Sequence, residues 1–248
     1  MNVVVTGGGT IAPIDDVRSI ANVSTGRFSA AITEACLRRG ATVWHIHTPT
    51  ALLPYQRLAS FDLDTTDPVA ESARIEKLLQ EWRNVRDRLH RVSLHPGTVA
   101  DYSSAMEHLF ASETIDVAFL AIAVSDYEPL PVAGKIDSSG EKLVIPCKKT
   151  PKVIRSVRDW APDVYLAGFK LMSGATTSAL IREAEIACKT NRADLTVAND
   201  LSTLREGRHT VHLVRSSRET ETLRPSPDLA DMLVERVFTF ASAIKNKA

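Results

Sequence analysis

Three consecutive glycines, Gly7, Gly8 and Gly9, stand between Thr6 and Thr10 directly after the apolar run at residues 3–5. Glycine lets a backbone approach a phosphate closely and aim its N–H groups at it, so this loop is a candidate anion cradle, although a plain tight turn would use the same residues. No Gly-Lys-Ser/Thr follows, so the loop is not a P-loop, and the Gly-x-Gly-x-x-Gly spacing of a dinucleotide-binding turn is also missing. Instead, a polar excursion over residues 11–25 carries Asp15, Asp16, Arg18, Asn22, Ser24 and Thr25 and ends at Gly26, where a helix is expected to begin. Small polar residues at a helix start receive an anion well, because free N–H groups and the helix dipole both favour negative charge there. Capping explains Ser24 or Thr25, but it does not require a cation at Arg18 and a neutral amide donor at Asn22 in the same loop. Two further polar clusters follow apolar runs, namely Ser125 with Asp126 and Tyr127, and Asn199 with Asp200.

Residues 3–5 read as a buried strand. Phe28, Ile32, Cys36 and Leu37 then fall at helical spacing, Arg38-Arg39-Gly40 supplies a basic last turn with a glycine stop, and residues 42–46 form a second strand. That strand, helix, strand order builds parallel sheets. The stripe of Ile75, Leu78, Leu79, Trp82, Val85 and Leu89 predicts one long amphipathic helix over residues 68–92. The unbroken apolar run 117–124 predicts a mid-sheet strand covered on both faces, and residues 164–169 and 195–198 add two more, with a helix over 178–190 between them. Residues 211–214 and 221–223 predict an antiparallel edge hairpin, and a closing helix covers 228–244. The fold expected is a three-layer, Rossmann-like α/β domain over residues 1–248, with a mostly parallel central sheet. In such sheets ligands gather beyond the carboxyl ends of the strands, where all three polar clusters lie.

The chain has 248 residues, 30 Lys+Arg and 30 Asp+Glu. With no formal net charge it lacks the field that gathers nucleic acid or anionic membranes, so neither is an expected partner. No window approaches the about 20 apolar residues of a membrane span, and the chain enters a strand at once, which together favour a cytoplasmic location. Cys36, Cys147 and Cys188 lie far apart without a Cys-x-x-Cys pair, so three free, buried thiols are expected and no zinc site. His45, His47, His209 and His212 have no metal-ligand spacing and are read as core or surface residues.

The stretch TGGGTIAPIDDVRSIANVSTGRFS, starting at Thr6, resembles the opening motif of the phosphopantothenoylcysteine synthetase (phosphopantothenate–cysteine ligase) family, stand-alone type. AIAVSDYEP, GKI with a following SSG loop, KKTPKVI, WAPDVYLAGFKL and ADLTVAND then match in order, so the resemblance covers about residues 3–200. It implies a two-step ligation in coenzyme A biosynthesis. The 4′-phosphopantothenate carboxylate attacks the α-phosphate of ATP or CTP, pyrophosphate leaves, and the amine of L-cysteine displaces the nucleotide. It also implies Mg²⁺ with the nucleotide, no flavin, and a homodimer.

Carried over by position, the resemblance places Asn22 on the acyl-nucleotide intermediate and Arg18 beside it, and sets Lys135 to neutralise phosphate charge. Gly7, Gly8, Gly9, Thr10, Ser24, Thr25 and Gly26 would bind phosphates. Ala121, Ile122, Ala123, Asp126, Pro151, Lys152, Val153, Ile154 and Phe169 would complete the nucleotide site. Asp137 and Ser138 replace the lysines that follow Lys135's counterpart in the bacterial motif, and Ala187 and Asn191 stand where bacterial enzymes carry nucleotide-site lysines, so a CTP preference does not transfer. Two rival readings exist. A nicotinamide-dependent reductase would need a Tyr-x-x-x-Lys pair, but Tyr102 is followed four residues later by Met106. A non-catalytic nucleotide-binding module would use the same loops without reaction.

Overall fold

A computed structural model of the chain describes residues 1–217 and 219–245. In chain order, β1 (Asn2–Gly7), β2 (Ile11–Pro13) and β3 (Ser19–Ala21) precede α1 (Arg27–Arg38) and β4 (Thr42–His47). Then come α2 (Pro68–Val85), β5 (Leu89–Ser93), α3 (Val99–Ser112), β6 (Val117–Leu120), β7 (Tyr127–Pro129) and β8 (Cys147–Lys149). The rest is α4 (Val153–Trp160), β9 (Tyr165–Met172), α5 (Thr177–Thr190), β10 (Leu195–Asp200), α6 (Leu201–Arg205), β11 (Val211–Arg215), β12 (Thr220–Leu223) and α7 (Leu229–Lys245).

Eight strands form one sheet in the order β12-β11-β10-β9-β6-β1-β4-β5, in which every pair from β10 to β5 is parallel and β11 and β12 run antiparallel at one edge. The two faces follow from strand alternation. Val3, Val5, Val117 and Phe119 pack with Ile32 and Cys36 of α1 and with Leu233 and Val237 of α7. Val4, Ala118, Leu120 and Leu166 face Tyr102 and Met106 of α3 and Val153 and Val157 of α4. Leu180 and Ala184 of α5 cover Ala198 and Val214. The three-layer α/β expectation, with its edge hairpin, therefore holds.

Several expectations are corrected. The helix expected over 68–92 ends at Val85, and Leu89 and Val92 instead pair with β4 as an edge strand. Arg88 fixes the turn between them by donating to the carbonyls of Leu37 and Ala41, both at 2.9 Å. The strand expected over 117–124 stops at Leu120, because residues 121–125 leave the sheet to bond the glycine loop. Cys36 and Cys188 are buried, but Cys147 is exposed on β8, a strand with no buried residue. The helices α3, whose capping box joins Thr98 and Asp101, α4 and α6, the hairpin β2–β3 within the polar excursion, and the hairpin β7–β8 lie outside the sequence reading.

Beneath the glycine loop lies a polar pocket in the core. His45 is fully buried on β4, with Nδ1 hydrogen-bonded to Thr33 Oγ1 at 2.8 Å and Nε2 without a partner. Burial lowers its pKa to about 3, helped by the nearby His47 and Arg91. The unfolded chain takes up this proton near pH 6.5 and the native one does not, so His45 makes stability fall as pH drops from about 6.5. At roughly 1.4 kcal/mol per pH unit, the effect of this one group between pH 6.5 and 5 is about 2 kcal/mol. Urea unfolding of the wild type and of His45→Gln at both pH values checks this: the wild type should lose about that much more stability on acidification, and equal losses would show that His45 does not carry the dependence.

Candidate functional site

The glycine loop continues β1 past the end of the sheet and is held there by residues 121–125. Ala123 N donates to Gly8 O (2.9 Å) and Thr10 N to Ala123 O (3.0 Å), while Thr6 and Thr10 hydroxyls accept from Ile122 N and Ser125 N at 3.2 and 3.0 Å. Gly8 has φ +91°, and a Cβ there would sit 2.0 Å from Thr48 Oγ1. At Gly9 the backbone of Asn22 comes so close that a Cβ would lie 2.3 Å from its carbonyl oxygen. Close packing of the excursion on the loop therefore requires glycine here, independently of any ligand.

Asn22 stands just beyond β3 and donates from Nδ2 to Ala123 O at 3.0 Å, so the excursion, the glycine loop and residues 121–123 meet at one point. Ser24, Thr25 and Gly26 then lead into α1, whose N-cap Gly26 has no side chain to cap it, while Arg27 N donates to Thr25 Oγ1 at 3.4 Å. Leu52 N donates to Thr25 O at 2.9 Å and ties this turn to the chain after β4.

Asp15 organises the other side. Its carboxylate accepts from Val17 N, Arg18 N, Ile136 N and the Arg18 guanidinium, at 2.6–3.0 Å. The Arg18 ion pair and these backbone donors hold its pKa far below the ordinary carboxylate range. Arg18 Nη2 also reaches Ile136 O at 2.7 Å. Arg18 is thus a strut that joins the excursion to residues 134–136 and has one edge of its guanidinium committed. Lys135, held in that segment, is exposed and forms no ion pair among the described residues.

Asp126 is exposed and pairs with Lys152. Thr150 N donates to Asp126 O at 3.1 Å, which seats the Pro151-Lys152 turn beside residues 121–126. Val153 and Ile154 form the first turn of α4. Val153 is buried, and Ile154 is half-buried with its side chain against Gly168. Ile122 is likewise buried. Phe169 lies on the opposite face of β9 from Gly168, with its ring against Phe28. The structure therefore gathers Gly7 to Thr10, Asn22, Ser24 to Gly26 and Ala121 to Ala123 closely, with Lys135 on one flank, Asp126 and Lys152 on another, and Phe169 on the α1 side.

Asp15, Thr48 and Phe28 lie outside the sequence-based site. Asp15 stood in the excursion, but its partner Ile136 is 121 residues away. Tyr102 and Met106 are both buried core residues of α3, so the pair a reductase would need is not built.

The family described as DNA/pantothenate metabolism flavoprotein C-terminal domain matches residues 1–105 and 90–240. The human phosphopantothenate–cysteine ligase is 30% identical over 250 residues, covering 89% of this chain and 78% of its own. The chain belongs to the phosphopantothenate–cysteine ligase family, a family of ligases. It is also 30% identical to the coenzyme A biosynthesis bifunctional protein CoaBC of Thermococcus kodakarensis, over 86% of this chain but only 44% of that protein's length. Among solved structures, the DNA/pantothenate metabolism flavoprotein of Streptococcus pneumoniae superposes with a TM-score of 0.76 at 28% identity, over 97% of this chain and 99% of that one.

The bonds around Asp15 yield a test that needs no ligand. Asp15→Asn removes the charge that holds Arg18 and Ile136, so trypsin should cut after Lys135 about tenfold faster than in the wild type, since local opening governs cleavage. Unchanged cleavage would mean that Asp15 does not pin this segment.

Proposed function

We propose that residues 1–248 act as one ligase domain that joins 4′-phosphopantothenate to L-cysteine in the cytoplasm, using ATP or CTP and releasing pyrophosphate through an acyl-nucleotide. The observation that carries this is the meeting of Asn22, Gly9 and Ala123 on the carboxyl end of β1 and β6, beside the start of α1 at Gly26. Such a reaction needs no covalent enzyme nucleophile. It needs two mutually repelling anions held together and the charge at phosphorus neutralised.

The glycine loop and the Ser24-Thr25-Gly26 turn offer backbone donors to phosphate. Lys135 offers a cation that no carboxylate already neutralises among the described residues, and Arg18 holds the segment that carries it. Asn22, fixed by Ala123, offers its carboxamide to the intermediate. Lys152, beside Asp126, offers a second cation near the nucleotide. Among the described residues no three His, Cys, Asp or Glu side chains converge on a point. This donor set does not fit a resident Mg²⁺, and the ion belongs with the nucleotide's phosphates.

A second copy of the chain is the partner we propose for the two hairpin arms, which leave Val17, Val23, Tyr127 and Val144 exposed. Such apolar exposure on projecting arms fits burial in a homodimer. The free thiols of Cys36 and Cys188 accord with a reducing compartment, and no helix among the described residues is long and apolar enough to cross a membrane.

Pyrophosphate release and amide formation, measured separately with phosphopantothenate, cysteine and ATP or CTP, test the reading. Asn22→Asp should slow amide formation about 100-fold by placing a like charge beside the acyl-phosphate. Lys135→Gln should slow pyrophosphate release by about tenfold or more. Wild-type rates in either variant would remove that residue from the machinery. Nucleotide binding by the wild type without pyrophosphate release would leave only a binding module.

A further inference from the structure

Glu34 is a carboxylate buried in the body of α1, eight residues past Gly26, and both of its oxygens are taken by one segment. Oε1 accepts from Tyr55 N at 2.7 Å and Oε2 from Arg57 Nη2 at 2.6 Å. Tyr55 itself has φ +60°, a conformation that a bulky residue adopts only when its surroundings impose it. The Glu34 bond imposes it here, together with the packing of the buried ring against Trp82 of α2, at 5.7 Å between centroids. Arg57 is also largely buried, and its Nε has no hydrogen-bond partner among the described residues. A buried ion pair adds little net stability over apolar packing, because desolvation offsets the attraction, whereas removing one partner strands the other charge. What this pair supplies is a fixed position for the segment that carries Tyr55 and Arg57.

That segment leads straight back to the glycine loop. Thr48 N donates to Gly7 O at 3.2 Å, and Leu52 N donates to Thr25 O at 2.9 Å. Between them, Ala51 Cβ lies 3.0 Å from where a Cβ would stand at Gly8, and at the same distance from one at Gly26. Its methyl group is thus a wedge that spaces the glycine loop from the start of α1. Residues 48–57 form a strap whose near end touches Gly7, Gly8, Thr25 and Gly26 and whose far end is held at Glu34. We propose that Glu34 is a positioning residue for phosphate binding. By holding Tyr55 and Arg57 it keeps Ala51 seated between Gly8 and Gly26, and so sets the spacing of the backbone donors on the two sides of the cradle. This role rests on reading the glycine loop and the Ser24-Thr25-Gly26 turn as the seat of the nucleotide's phosphates, but an inorganic probe tests it without turnover.

Equilibrium dialysis of inorganic tripolyphosphate, ATP and CTP with the full chain measures the cradle directly. Glu34→Gln keeps an acceptor for Tyr55 N but strands the Arg57 charge, and it should weaken all three ligands by a similar factor, about tenfold. Glu34→Asp, which keeps the carboxylate, should recover most of that loss. Ala51→Val, which widens the wedge and leaves Glu34 intact, should weaken the three ligands as Glu34→Gln does. With pyrophosphate release as the readout, Glu34→Gln should raise the nucleotide KM by the same factor and leave kcat within about twofold. Urea unfolding of each variant gives its folded fraction, so that lost affinity is assigned to folded protein. If Glu34→Gln does not fold, Arg57→Gln breaks the pair from its more exposed end and is read in the same way. Wild-type affinity for tripolyphosphate in Ala51→Val, or in folded Glu34→Gln or Arg57→Gln, would overturn the proposal, as would a fall in kcat with KM unchanged. A wild type that binds tripolyphosphate but releases no pyrophosphate defeats the ligase reading and leaves the strap standing. Normal release by a Glu34→Gln variant of wild-type affinity defeats the strap alone.

Discussion

Ala123 exchanges hydrogen bonds with both Gly8 and Thr10, and its carbonyl takes a second donor from Asn22. This small patch of pairing lies beyond the end of the sheet, and the candidate site is built on it. It ends β6 at Leu120, holds the glycine loop open at the mouth of β1, and gives the excursion over residues 11–25 a fixed landing point. Gly9 matters for the same reason: any side chain there would strike the Asn22 carbonyl and lift the excursion off. A buried backbone group left unpaired costs about 1–3 kcal/mol, so the bonds at Ala123 hold as a set.

From that point the remaining parts are positioned at increasing distance. The excursion carries Asp15 and Arg18, whose bonds to Ile136 bring residues 134–136, and hence Lys135, to the same side. Residues 121–126 seat the Pro151-Lys152 turn through Thr150, which places Lys152 next to Asp126. The turn at Gly26 starts α1, and α1 presents Phe28 to Phe169 and His209. The core beneath is largely hydrophobic packing, with buried polar groups that include the Thr33 and His45 pair under the loop. Two roles therefore coexist in the excursion. Asp15 works structurally, through bonds internal to the protein, whereas Asn22 is the residue we propose meets a ligand.

Much of this architecture was legible in the residues themselves. Unbroken apolar runs at 3–5 and 117–124 announced strands covered on both faces, although the second strand ends at Leu120. Periodicity failed where two elements shared one stripe. Leu89 continued the spacing of α2, yet pairing with β4 drew it into a strand. The helix α3 went unread although Thr98 and Asp101 form a capping box in plain sequence. What local pattern could not reveal were contacts between distant segments, such as Asp15 with Ile136 and Phe28 with His209. The functional assignment came from the order of motifs along the chain, and the geometry then showed which of those residues meet and which, like Val153, are buried.

We propose that the carboxylate of phosphopantothenate is activated on the nucleotide's α-phosphate at this site. Isotope transfer follows that bond directly. When phosphopantothenate labelled with ¹⁸O in its carboxylate is turned over with cysteine and ATP or CTP, the nucleoside monophosphate released should carry one ¹⁸O atom, because the amine displaces the nucleotide together with the bridging oxygen. Label found in inorganic phosphate, or amide formed without label in the monophosphate, would contradict the account.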